Sequence, residues 1–381
     1  MKLQRLKSID IFRGLCMVWM ILNHSIDWWV KPEYNWLQTV TIRIIDPIGV
    51  SGLLFISGVS IMISYRNRLN KVKVSNDYNY RMIKNHYLYR AFFFFIIALI
   101  YNIPTAIKFH DPSMIWTWFI LLTYAISLFL AWPLLKIHKL FRVFIAILVL
   151  VLHQFIVSWL LPFQGNLNIF GLLYHILYSG HTQDPILVFF PFFLIGTVIG
   201  DIVYETVYLN NADKHTRNFE NRLLIPTLTI GIFLIIFGIL LKFPKFWDRE
   251  SFSWIIYSIG IDLFLFTILL SFEVFEIIKT KKSYKLLFYY SYYSLTIYLA
   301  HNLLYFLFLH QLNLFNIWFF TAGAFILIVV IMRTIYKLSG GTASLKIQIG
   351  RLSYGVTIKF EEKLINKYIK TVSAISKKMD S

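Results

Sequence analysis

Ionisable residues inside an apolar run are the first feature of this sequence that could do chemistry. The stretch Ile11 to Trp29 carries Arg13, His24 and Asp27, with Asp10 just before it. Such groups are costly at membrane depth, so each is a candidate for function, with pairing inside a helix bundle as the alternative. Arg13 and His24 stand eleven residues apart. On a helix that is about three turns, roughly 16 Å, and within some 20° of one face. Met17 and Met20 fill the stripe between them, Asp10 precedes Arg13 by three residues, and Asp27 follows His24 by three. That spacing lets helical side chains meet. A histidine so held suits a general base or a transient acyl carrier, with Asp27 fixing its tautomer and raising its basicity. A hydrogen bond to a neighbouring helix would explain it equally well.

A second run begins with Arg43 and Asp46 and continues through Gly49-Val50-Ser51-Gly52 to Ser57-Gly58. Small residues at these spacings let backbones come close, and they also leave room for a substrate channel; packing is the commoner use. His175, His181 and Asp184 fall in a long outer connection where they could touch an acceptor, and solvated loop residues are the simpler reading. No pair has the spacing of a metal site, so none is expected.

The elements that must position these residues follow from composition. Of 381 residues, 58% are apolar and only 15% charged, a balance that excludes an ordinary soluble domain. Apolar windows of about 20 residues, the length of a bilayer-spanning helix, recur from Ile11 to near Lys337. The alternation of a membrane barrel is absent, so the fold expected is an all-α polytopic membrane protein. About ten transmembrane helices are expected, near 9–29, 41–64, 87–108, 114–135, 141–161, 186–208, 222–243, 252–278, 286–309 and 314–337. Ile169 to Tyr178 is too short to span and reads as re-entrant or interfacial. No small-x-small cleavage pattern follows the first run, which is read as a mature helix rather than a signal.

Lys and Arg fall mainly on one side of this topology, at Lys2, Arg5, Lys7, Arg66, Arg68, Lys71, Lys73, Arg81, Lys84, Lys136, Lys139, Arg142 and the loops near Lys214 and Lys281. That asymmetry places both termini in the cytoplasm. It also accounts for the net charge of +18 through topology and anionic membrane lipid, with no nucleic acid partner. The single cysteine, Cys16, permits no disulfide. The domain division expected is 1–338, the membrane region, and 339–381, a basic amphipathic tail on the cytoplasmic surface.

Three segments carry a family resemblance. They are Arg13-Gly14 followed by His24, then Gly49-Val50-x-x-Leu53-Leu54-Phe55-Ile56-Ser57-Gly58, and Tyr293-Ser294-Leu295-Thr296-Ile297-Tyr298-Leu299-Ala300-His301. Together they resemble the acyltransferase type 3 family. The start Arg5-Leu6-Lys7-Ser8-Ile9-Asp10-Ile11-Phe12-Arg13-Gly14 is more similar to the heparan-α-glucosaminide N-acetyltransferase branch of the same superfamily. The resemblance implies acyl transfer from a cytosolic acyl-CoA, with acetyl-CoA as co-substrate, through a pore between helices to a sugar or glycan acceptor. It also implies that Arg13 and His24 match an Arg-X10-His motif whose histidine is catalytic. In the glucosaminide branch the catalytic histidine belongs to a His-x-x-Trp-x-Gly element after the first helix; here Tyr34-Asn35-Trp36 holds no histidine. His24 becomes the leading substitute.

The candidate catalytic residues are therefore His24, Asp27, Asp46 and His301, the last of which could instead anchor its helix to the first by a hydrogen bond. A CoA needs cations for its phosphates at the cytoplasmic mouth, and Arg13, Arg81, Lys84 and Arg90 are the candidates. The function expected is an integral membrane acyltransferase acting on an amine or hydroxyl, in the plasma membrane of a prokaryote, with a homodimer among its expected states. The competing reading is a transporter or flippase that binds an anion or relays protons with the same intramembrane charges.

Overall fold

A computed structural model describes residues 5–74, 79–179, 184–209, 217–244, 246, 249–277 and 284–379, without the side chains of 43–45, 365 and 367–379. His181 and Lys214 lie outside the described residues. Within them the protein is all helical, with a single isolated bridge between Val30 and Leu312. Helices α1 (Lys7–Trp29), α2 (Asn35–Ile45), α3 (Val50–Val74), α4 (Tyr80–Phe109), α5 (Ile120–Leu134), α6 (Lys139–Leu160) and α7 (Ile169–Leu177) form the first part. Then come α8 (Ile186–Val203), α9 (Ile225–Leu241), α10 (Phe252–Val274), α11 (Lys285–Tyr292), α12 (Ser294–Ala300), α13 (Asn316–Ser339) and α14 (Leu345–Met379).

Among the described residues eight segments are long and apolar enough to cross a membrane: Lys7–Trp29, Asp46–Val74, Tyr80–Phe109, Lys139–Phe163, Ile186–Tyr208, Arg217–Leu241, Phe252–Val274 and Asn316–Ser339. Two of the ten expected spans differ. The fourth is α5, whose 15 residues cover about 22 Å at 1.5 Å per residue, short of a hydrocarbon core of about 30 Å. The ninth is broken into α11, α12 and a 3-10 turn, His301–Phe306. Broken backbone is tolerated at membrane depth where protein encloses it, and Tyr290 and Tyr293, which flank the first break, are fully buried. The second break puts His301 at the end of α12.

Glycines set how closely the helices around the core approach. A Cβ on Gly58 of α3 would stand 2.1 Å from the Phe193 carbonyl oxygen of α8, and one on Gly196 of α8 would stand 2.0 Å from the Phe55 oxygen of α3. Gly14 lets α1 meet α11 in the same way, its would-be Cβ 2.5 Å from the Leu287 oxygen. Arg142 of α6 is fully buried on Asp201 of α8, and Arg66 of α3 donates to the same carboxylate at 2.5 Å. Three helices are thus tied at one ion cluster, where loss of one partner would strand a buried charge.

The loop after His301 returns to the end of α1. His310 and Leu312 donate backbone N–H groups to the carbonyls of Trp28 and Trp29 at 2.8 Å each, and Trp29 Nε1 donates to Leu304 O at 2.7 Å. These bonds satisfy carbonyls that a helix end otherwise leaves open. They also fix the His301 segment beside the last turns of α1. The C-terminal segment is one long helix, α14, which packs along α4 after left-handed turns at Gly340 and Gly341.

Candidate functional site

His24 lies in the fifth turn of α1, and the break after α12 brings His301 against it. The two imidazole rings are 4.8 Å apart, and Trp28, one turn beyond His24, stacks on both at 4.8 Å and 5.7 Å. His301 Nδ1 bonds to the Tyr298 carbonyl oxygen. A carbonyl can only accept, so Nδ1 carries the proton and the basic nitrogen of neutral His301 is Nε2. No hydrogen bond joins the His24 ring to another described residue, and its surface is only partly covered.

A cavity of about 150 Å³ approaches this pair from the end of the bundle that holds the start of α1. Arg13, Arg90 and Lys346 contribute basic side chains to its lining, Ser57, Ser60 and Ser64 form one face of α3, and Met17 and Tyr298 lie further along. Arg13 Nη2 donates to Ser60 Oγ at 2.5 Å. Lys346 Nζ donates to the Ser291 carbonyl at 3.0 Å, and Ser291 Oγ donates to Asp10 Oδ1 at 2.9 Å. Asp10 is itself held by Arg5 at 2.5 and 2.8 Å. Burial, with Arg13 beside it, pulls the Lys346 ammonium well below the ordinary lysine range. At the other end the Tyr298 ring is 5.4 Å from that of His301. The small residues of α3 therefore divide their labour: Gly58 packs and Ser57 lines the cavity.

On the far side of the histidines Arg249 joins two carboxylates from distant parts of the chain, Asp46 at 2.5 Å and Asp184 at 2.9 Å. Its guanidinium lies 5.2 Å from the Phe189 ring and within electrostatic range of His24. Burial opposes the Arg249 charge, but Asp46 and Asp184 together raise it above its ordinary value. Burial raises Asp184 to about 6, against the pull of Arg249.

Of the residues singled out in the sequence, His24 and His301 meet, and Arg13 and Arg90 share the cavity. Asp46 lies in the Arg249 cluster. Asp27 accepts from Gln38 Nε2 rather than from His24. Arg81 donates from Nε and Nη2 to the Glu361 carboxylate of α14, and Lys84 is exposed; neither lines the cavity. His175 lies on α7, away from the histidine pair. Sequence reasoning passed over Lys346, Tyr298 and Arg249. Tyr298 stands three residues before His301, a helical spacing that could have flagged it; Lys346 and Arg249 carry no such local signal.

The arrangement sets a largely apolar cavity, lined also by Arg13, Arg90, Lys346 and three serines, beside Tyr298 and the imidazole pair that it adjoins. It can bind an anionic, elongated substrate and remove a proton at its inner end. Among the described residues no group of three or more His, Cys, Asp or Glu is placed to hold a metal ion. The family model described as "Heparan-alpha-glucosaminide N-acetyltransferase, catalytic" matches residues 5–237. No curated protein matches the chain in sequence.

Proposed function

This chain belongs to the heparan-alpha-glucosaminide N-acetyltransferase catalytic family, and we propose that it moves an acetyl group from cytosolic acetyl-CoA to an amine or hydroxyl of a sugar acceptor. The coarser activity, a membrane acyltransferase, follows from family membership. The observation that carries the finer reading is the cavity, lined by Arg13, Arg90 and Lys346 and by Tyr298, whose ring lies 5.4 Å from that of His301.

The residues fit a CoA thioester. Arg90 Nε is buried with no hydrogen-bond partner among the described residues, a state that buried donors rarely keep without an acceptor. Arg13, Arg90 and Lys346 would hold the pyrophosphate, whose charge would restore the Lys346 proton that burial disfavours. The pantetheine arm would run along Ser57, Ser60 and Ser64 towards Tyr298. From Arg13 to His24 is roughly 16 Å of helix, so the cavity leads the thioester inward rather than holding it at the surface.

At the inner end the histidine pair takes the proton of the acceptor as its nitrogen or oxygen attacks the thioester carbonyl. His301 is held in one tautomer by the Tyr298 carbonyl, and His24 has ring nitrogens open to reactants. Arg249 adds positive potential near the carbonyl oxygen, where negative charge develops. The proton is then available to the departing CoA thiolate.

Purified protein incubated with labelled acetyl-CoA, with and without glucosamine, tests this reading. Label should pass to glucosamine in a His24-dependent way. An ion or solute flux that needs no acetyl-CoA, with no labelled product, would replace the reading with transport.

A further inference from the structure

A base that takes a proton at membrane depth carries a cation there until it passes the proton on, and a nearby group has to stabilise that charge. For a histidine base the usual partner is a carboxylate. Among the described residues no carboxylate hydrogen-bonds to His24 or His301. Asp27, one turn from His24, accepts from Gln38, and Asp46 and Asp184 are engaged by Arg249. Arg249 itself lies within electrostatic range of His24, but it is a like charge to an imidazolium. The Tyr298 carbonyl supports His301, and nothing equivalent reaches His24.

What both rings do have is the face of Trp28. Its indole lies 4.8 Å from the His24 ring and 5.7 Å from the His301 ring, at interplanar angles of 22° and 16°. Both distances fall inside the roughly 6 Å over which an aromatic face attracts a cation, and tryptophan is the strongest of the aromatics in this respect. Resting on the reading of the pair as the proton acceptor in acyl transfer, we propose that Trp28 is a positioning residue whose indole stabilises the imidazolium while the pair holds the acceptor's proton. The proton leaves the acceptor nitrogen or oxygen as that atom bonds to the thioester carbon, rests on an imidazole beside the indole, and passes to the CoA thiolate when the C–S bond breaks. The negative face of the ring attracts a protonated imidazole far more than a neutral one, so its effect falls on the state reached during transfer. An indole also carries no charge of its own, so no second buried ion has to be paired while the histidines are neutral. Its place is fixed from two directions. The Trp28 carbonyl accepts from the His310 N–H at 2.8 Å, which ties the last turn of α1 to the segment after His301, and the Tyr305 ring meets the indole at 79° and 5.7 Å.

Fluorotryptophans placed at position 28 alone test the proposal, because fluorine withdraws negative potential from the ring face and hardly changes its shape. The full-length protein with native Trp28 and with one, two or three ring fluorines there is compared in single-turnover transfer from labelled acetyl-CoA to glucosamine, and acetyl-CoA binding is measured by calorimetry on the same preparations. The transfer rate should fall stepwise, by about tenfold over three fluorines, with donor affinity unchanged. Trp28→Phe should keep more of the rate than Trp28→Leu, since phenylalanine retains a ring face. A transfer rate that does not respond to fluorine would leave Trp28 as packing only and overturn the proposal, whether or not Trp28→Leu folds. A loss shared equally by acetyl-CoA binding would place the effect on the donor and overturn it too. If the native protein transfers no label at all, the acyl-transfer reading fails and this inference falls with it, an outcome distinct from a flat fluorine series in an active enzyme.

Discussion

His24 and His301 come from the first helix and from near the end of the membrane region, and each depends on a different neighbour. The Tyr298 carbonyl fixes His301, while His24 is placed by stacking on Trp28 and by a tilted contact with the His301 ring. If the pair removes the acceptor proton, His301→Ala should cost kcat about 100-fold or more while acetyl-CoA binding persists, read by steady-state kinetics and calorimetry together. Arg13→Ala should act oppositely, raising the KM for acetyl-CoA more than it lowers kcat. Asp184 gives a pH test. Its pKa is raised to about 6 by burial, so the folded protein binds its proton more tightly than the unfolded chain. The stability this contributes is full below about pH 4 and is lost as pH rises through 6. Relative to Asp184→Asn, the wild type should therefore lose about 3 kcal/mol between pH 3 and pH 7, measured by unfolding in detergent; a flat difference would show that Asp184 is not buried in this way. The sequence made His24, His301, Arg13 and Arg90 visible because charge in an apolar run is conspicuous. It could not show that Asp27 would turn to Gln38, a residue of the next helix, since that choice depends on how the two helices pack.

Helix contacts turn small-residue patterns into stability. A Cβ at Gly58 would overlap backbone of α8, and backbone cannot swing aside as a side chain can. Gly58→Ala should lower stability by about 1–3 kcal/mol. Gly323, inside α13, has nothing within 4 Å of its would-be Cβ. Gly323→Ala should instead gain up to about 1 kcal/mol from helix propensity, and thermal melting of the two variants should move in opposite directions. Most spans were legible from hydropathy alone. The break between α11 and α12 was not, because Tyr290-Ser291-Tyr292-Tyr293 reads as continuous apolar helix and is interrupted by burial of its tyrosines and by the backbone bonds that Ser291 and Tyr292 make with the α14 region. Lys346 was hidden for the same reason: its contribution requires α14 to fold back on the bundle.

Across the whole molecule the donor cavity and the Arg249 cluster lie on opposite sides of the histidine pair. The expectation from the Lys and Arg near the start of α1 is that the donor side faces the cytoplasm. In sealed proteoliposomes, then, membrane-impermeant acetyl-CoA should support transfer only in the population whose α1 N-terminus faces the donor; equal use from both sides would contradict a one-sided entrance. Fold class was readable from composition because lipid as solvent leaves few choices of backbone. The cavity was not, because it is lined by residues from α1, α3, α4, α5, α12 and α14 that share no local pattern.

The central claim is that acyl transfer is performed at the imidazole pair beside Tyr298, which lines the donor cavity. Its most direct test is single-turnover transfer from labelled acetyl-CoA by wild-type and His24→Ala protein, with acetyl-CoA binding measured on the same preparations. The account predicts unchanged donor binding and a transfer rate reduced by about 100-fold or more. Full transfer activity in His24→Ala would contradict it.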